Sequence, residues 1–167
     1  MKKFSILLFS LITLVGFSQT TWKSTNYGYS IEIPKGYSKF QSIGSNVDFK
    51  ANNGLNSIVV VVNSLPLEYS QATIWDMMGD LSTYGAEWEY GAKEHMNNPK
   101  FLKYGKTTID GLQSLWYDYT TDNPHLYSKT YQVKKGTKLY TITLTCEYEN
   151  YNNNSSIWYR FKDKIAL

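Results

Sequence analysis

The acid most unusually placed for chemistry is Asp118, set in the run Leu115-Trp116-Tyr117-Asp118-Tyr119. A carboxylate among aromatics can serve a hydrolase if a histidine stands beside it, but one acid alone does not make a mechanism. The two histidines, His95 and His125, each fall in a turn-rich segment. Zinc sites gather three or four Cys, His or carboxylate ligands, often at close spacing. Here His95 has only Glu94 beside it and Glu89 further back, and nothing resembles HExxH. Both histidines read as surface residues, and no metal or cofactor is expected. Cys146 would need a basic neighbour and access to act as a nucleophile. Its position between Leu144 and Tyr148 on an apolar strand face makes it a small buried hydrophobe instead. No G-x-S-x-G elbow and no glycine-rich phosphate loop occurs. The pairs Glu87/Glu89 and Glu147/Glu149 could face each other across a glycosidase cleft, yet the second pair sits among threonines on a solvated strand face. No catalytic residue is assigned, and the chain does not read as an enzyme.

The elements that would position these groups are strands, a helix, a meander and a final helix. Tyr29-Ser30-Ile31-Glu32-Ile33 alternates and stops at Pro34, and Val47-Asp48-Phe49 repeats the pattern before Asn52-Asn53-Gly54. Ile58 to Val62 is apolar at every position, the mark of a central strand covered on both faces. Ile74, Met77, Met78, Leu81 and Trp88 recur mainly at helical steps, predicting a helix over 70–88 with Ser70 or Thr73 as its cap and Gly85 as terminator or kink. Residues 90–100 read as a loop. Strands over 102–109, 112–121, 126–133 and 138–148 are joined by Asp110-Gly111, a strong hairpin signal, and by two further turns. On the last strand Tyr140, Ile142, Leu144, Cys146 and Tyr148 share one face, and Thr141, Thr143, Thr145 and Glu147 the other. A terminal helix capped by Ser155 or Ser156 carries Ile157, Trp158, Phe161 and Ile165. The class is α+β: an antiparallel sheet of six to seven strands covered by helices.

Composition narrows the setting. Seventeen basic and fourteen acidic side chains give a net charge of +3. Two of the bases, Lys2 and Lys3, precede a mostly apolar run from Phe4 to Phe17, followed by Gly16 and Ser18 as small residues before Gln19. That pattern predicts a signal peptide over 1–18 and a single domain over 19–167. A nearly neutral mature chain argues against nucleic-acid binding and against a polybasic membrane-surface protein. No other stretch reaches membrane length. With Cys146 as the only cysteine, no lipidation site follows the leader, and the expected location is the periplasm or beyond. Fifteen tyrosines and five tryptophans suit binding of proteins or sugars, though a covered sheet also needs aromatics for its core. Trp116, Tyr117, Tyr119, Tyr127 and Tyr131 are the candidate binding patch, with Trp116 on the face opposite Tyr117 and Tyr119.

The order of elements resembles the PsbP-like superfamily. The residues carrying the resemblance are Tyr27-Gly28-Tyr29-Ser30-Ile31-Glu32-Ile33-Pro34-Lys35-Gly36-Tyr37, which look like its opening strand-Pro-x-Gly-aromatic signature, then Thr108-Ile109-Asp110-Gly111 and Lys138-Leu139-Tyr140-Thr141-Ile142-Thr143 before a terminal helix. The resemblance implies an α/β/α sandwich used mostly for binding, and transfers little function by itself. The expected role is a non-catalytic envelope protein that binds another protein as adaptor, chaperone or inhibitor, compatible with a monomer. The alternative is a module holding a small apolar or sugar ligand between the Met77/Met78 helix and the sheet.

Overall fold

The computed structural model describes residues 20–41, 44, 46–80 and 82–167. The expected leader, residues 1–18, and Leu81 of the expected helical stripe lie outside them. Among the described residues the strands are β1 (Thr20–Lys23), β2 (Ser30–Ile33), β3 (Ser38–Lys39), β4 (Val47–Asn53), β5 (Asn56–Ser64), β6 (Lys100–Ile109), β7 (Leu112–Thr121), β8 (Leu126–Lys135), β9 (Lys138–Glu147) and β10 (Ile165–Ala166). The helices are α1 (Tyr84–Ala92) and α2 (Tyr151–Phe161). Seven strands form an antiparallel sheet in the order β3-β4-β5-β9-β8-β7-β6, and β1, β2 and β10 form a second, three-stranded sheet.

The meander β6 to β9 forms where alternation and turn residues place it. At the Asp110-Gly111 turn both residues have positive φ, +49° and +74°, the geometry that lets a two-residue hairpin follow the strand twist. Ile109 pairs with Leu112 beside it. On β9 the expected alternation holds from Tyr140 to Cys146, whereas Tyr148 leaves the strand in a 3-10 turn and is exposed.

Each face of the large sheet has its own core. One face packs Phe49, Val60, Ile142 and Leu144 against Trp158 and Phe161 of α2, Ile165 of β10 and Ile31 of β2. The second sheet thus shares this layer with α2, a detail the all-helical cover of the expectation lacks. The opposite face packs Leu115, Tyr117 and Tyr119 under Ile74, Met78, Tyr84 and Trp88. That second cover stops short of the sheet centre: Val59 and Val61 are only half-buried, so β5 is fully covered on one face, not on both as its apolar run predicts.

The helix expected over 70–88 is replaced by a 3-10 turn at Asp76–Met78 and the later helix α1. The cause is local. The Asp76 carboxylate accepts hydrogen bonds from the Thr73 backbone N–H and hydroxyl, and Gly79 (φ +65°) breaks the backbone before a helix can propagate. Ile74 and Met78 nonetheless bury their side chains, so the spacing marked the core residues while misassigning their backbone. Gly85 lies inside α1, where a Cβ would approach Phe101 Cδ1 to 2.9 Å; it permits close packing rather than ending the helix. Likewise α2 begins at Tyr151, ahead of Ser155 and Ser156, because the 3-10 turn Tyr148–Asn150 runs directly into it.

Candidate functional site

Strand register decides which aromatics meet. Trp116 stands opposite Tyr131, and Thr120 opposite Tyr127, so Trp116, Tyr127 and Tyr131 occupy the α2 face. Tyr117 and Tyr119 point to the α1 face, where Trp88 lies over both, with ring centroids 5.7 and 4.7 Å away. The five residues therefore divide between two cores and do not make one surface. Tyr117, Tyr119, Tyr127 and Tyr131 are all buried and Trp116 is half-buried. Tyr127 stacks on Tyr151 of α2 with centroids 3.7 Å apart, and the Tyr131 hydroxyl donates to the Trp158 carbonyl at 2.9 Å. The α1 face therefore uses its tyrosines as a lid support, and the α2 face uses them to dock the helix.

Asp118 is the centre of a polar network on the α2 face. It is fully buried and accepts hydrogen bonds from Lys129 Nζ at 2.6 Å and from the Tyr127 hydroxyl at 2.7 Å. Lys103 of β6 approaches Oδ2 to 3.4 Å from a half-exposed position. Lys129 also lies 3.9 Å above the Trp116 ring, a cation–π contact in a desolvated setting. Burial pulls the Lys129 ammonium below the ordinary lysine range, and Asp118 only partly restores it. The phenol of Tyr127 is driven far above its usual range, first by burial and then by its neighbours Tyr151 and Asp118. Trp116 reaches this place only because Gly105 lies below it; a Cβ there would fall 2.7 Å from Trp116 Nε1. Sequence reasoning singled out Asp118 and missed Lys129, although counting back equally from the 122–125 turn pairs the two.

The remaining candidates lie apart. His125 stacks on Tyr148 with centroids 4.2 Å apart, and His95 is exposed beside Glu94; neither touches Asp118. Cys146 is fully buried, and burial pushes its thiol up to about 11. Glu87 accepts the Thr83 hydroxyl, Glu89 the Phe101 backbone N–H, and Glu147 an amide proton of Asn150. No group of three metal-ligating side chains occurs among the described residues, and no helix among them is long and apolar enough to cross a membrane.

Two surface features stand out. A groove of ≈ 230 Å³ runs between Met96, Tyr119, Pro124 and Leu126, with Ser128 and Thr145 in its lining. It lies at the turn end of β7 and β8, away from the expected Met77/Met78 position. Second, β6 is an edge strand with a neighbour on one side only among the described residues, and it exposes Leu102 and Tyr104, 41% and 38% accessible.

No protein-family profile matches the chain, and no curated protein does. Solved structures do. Cyanobacterial PsbP from Synechocystis superposes with a TM-score of 0.70 at 15% identity, over 89% of this chain and 91% of that one. LpqN of Mycobacterium tuberculosis, a protein involved in cell envelope biogenesis, gives 0.51 at 7% identity over 91% and 86%. A Bacteroides thetaiotaomicron protein gives 0.55 at 10% identity, over 90% of this chain and 49% of its own. The fold is PsbP-like α+β.

Proposed function

With a PsbP-like fold as the premise, we propose that the protein is a non-catalytic, exported component of the cell envelope that binds another protein. One contrast carries this reading: Asp118 and Cys146 are locked inside the sheet, while large apolar side chains stand at its surface. Asp118 is held by Lys129 and Tyr127, and Cys146 is sealed with its thiol pushed up to about 11. Outside, Leu102 and Tyr104 stand on an open edge and Ile157 and Tyr159 on α2. Apolar and aromatic groups of this kind supply the energy of protein interfaces. The leader expected over 1–18 and the envelope role of LpqN support the extracytoplasmic setting.

The test is in-cell crosslinking in the native host, with a photoreactive residue placed in turn at Leu102, Val59 and Ile157. A discrete adduct with one other polypeptide, at one position, is the expected result. Absence of any adduct at all three, with the protein folded and exported, removes the reading.

A second reading, a module for a small apolar or sugar ligand, draws on the Met96–Tyr119–Leu126 groove, whose apolar walls carry the hydroxyls of Ser128 and Thr145. Small-molecule mass retained in native mass spectrometry, and lost on Ser128→Trp, would favour it.

A further inference from the structure

We propose that the partner docks on β6, adding an extended acidic segment as an eighth strand to the seven-stranded sheet. This rests on the protein-binding reading above and names its surface and its chemistry.

The two edges of the sheet are built differently. One edge is β3, only Ser38–Lys39 long, too short to template another chain. The other is β6, which runs the full length of its hairpin. Hairpin geometry fixes which of its backbone groups point outward. Ile109 and Leu112 flank the two-residue turn and bond each other, so alternate residues back along β6 bond to β7. Thr108 and Lys106 stand between those positions, and their N–H and C=O groups point away from β7. The N-terminal end of the edge is closed, because Glu89 of α1 accepts the Phe101 N–H at 2.7 Å and a register shift follows between Phe101 and Lys103. Residues 103–108, about 20 Å of strand, pair with no strand on the outer side among the described residues.

The side chains select the occupant. Lys100, Lys103 and Lys106 all lie on β6, which carries no acidic residue. Lys103 is half-exposed at 3.4 Å from Asp118, and Lys106 lies 4.8 Å over the Trp75 ring with Asp76 as its acidic neighbour. Edge lysines disfavour self-pairing, since a second copy would bring lysines against lysines. Lys100 and Lys103 share the face of Thr120 and Asp118, whereas Lys106 stands on the opposite face with Tyr104, so an incoming strand with Glu or Asp at alternate positions meets Lys100 and Lys103 with its acids. Leu102 and Tyr104, already exposed, would rest against its apolar side chains, as in other cases of strand addition.

The experiment titrates the exported, full-length mature protein with an end-blocked peptide of about seven alternating Glu and Val residues, long enough for roughly 20 Å of strand. The matching Lys/Val peptide is the comparison, and backbone amide NMR is the readout. The Glu peptide is expected to shift the amides of Lys106 and Thr108, slow their hydrogen exchange, and bind at least about tenfold more tightly than the Lys peptide. Lys103→Ala should weaken binding about tenfold while leaving the backbone intact. Lys106→Pro should abolish it, since proline is tolerated where the N–H faces outward from an edge. Shifts confined to the Val59 and Thr143 region, equal affinity for both peptides, or no saturation would each overturn the proposal. So would self-association through β6 in sedimentation. The crosslinking experiment separates the two levels: an adduct at Val59 or Ile157 but not Leu102 sinks the edge alone, whereas silence at all three sinks the protein-binding reading.

Discussion

Replacing Lys129 by methionine tests whether the Asp118 network behaves as a buried ion pair. The substitution keeps side-chain length and removes the 2.6 Å partner of Asp118 Oδ1, leaving a fully buried carboxylate with the Tyr127 hydroxyl at 2.7 Å and Lys103 at 3.4 Å. Stripping one member from a buried pair costs about 3–5 kcal/mol, because the remaining charge has lost both water and counter-charge. Lys103 can close in from its half-exposed position, which sets the expectation near the lower figure, about 3 kcal/mol. For a chain of this size that lowers the melting temperature by roughly 6–12 °C. Asp118→Leu orphans Lys129 instead and should cost a similar amount. The double replacement Asp118→Leu with Lys129→Met leaves neither charge and should recover most of the loss. Urea unfolding of the four proteins, with unchanged slope, measures each term. Single losses below about 1 kcal/mol, or a double loss equal to their sum, would refute the argument. The pH dependence gives an independent sign. Burial lowers Lys129 in the folded chain, so between that value and the ordinary lysine range the unfolded chain holds the extra proton, and stability rises with pH. Without Asp118 the window opens further downward, so the deficit of Asp118→Leu should shrink as pH rises toward about 10.

The tyrosines oppose that trend at higher pH. Burial raises Tyr29, Tyr117, Tyr127 and Tyr131 above the ordinary phenol value, so above about pH 10 the unfolded chain loses protons that the folded chain keeps. Each such group should cost about 1.4 kcal/mol per pH unit, giving cooperative alkaline unfolding in which tyrosinate absorbance and circular dichroism change together. Ionisation of all tyrosines before loss of structure would contradict it. Gly105→Ala places a Cβ 2.7 Å from Trp116 Nε1 and should cost about 1–3 kcal/mol by displacing the ring, seen as a shifted tryptophan emission and a lower melting point. Cys146, fully buried, should react with thiol reagents only as fast as the protein unfolds globally; rapid labelling in native buffer would show that the β8–β9 region opens locally. Lys103→Ala should change stability by less than about 1 kcal/mol, because the half-exposed pair it makes is screened and Lys129 already serves Asp118.

What was legible in the sequence was whatever depends on local periodicity. The β6–β9 meander follows from alternation and from Asp110-Gly111, and both are decided within a few residues. The stretch 70–88 failed for a related reason. Ile74 and Met78 are spaced like a helical face because both face the same sheet, but the Asp76–Thr73 hydrogen bonds and Gly79 choose an irregular backbone that delivers the same burial. Ile58–Val62 misled differently: β-branched residues suit a half-exposed sheet face as well as a buried one, and Val59 and Val61 face the uncovered part of the sheet. The candidate patch was least legible, since exposure depends on what lands on each face. Alternation put Trp116 opposite Tyr117 and Tyr119, yet nothing local says that α2 will come to stack on Tyr127 and a broken helix on Tyr119.

Lysines on the two strands that flank β7 share one face and would divide folding from the recognition proposed at β6. Lys129 is sealed at 2.6 Å from Asp118 and over Trp116, so its charge fixes the pairing of β7 with β8 and is invisible from outside. Lys103, on the edge strand β6, reaches the same carboxylate at 3.4 Å with half its side chain in water. Because Asp118 is already satisfied by Lys129 and Tyr127, Lys103 can turn toward an incoming carboxylate without orphaning a buried charge. An edge whose cation were the sole partner of Asp118 would lose stability whenever it bound anything acidic. The inner lysine therefore frees the outer one, and the cost of engaging a partner at β6 is confined to a weak surface ion pair.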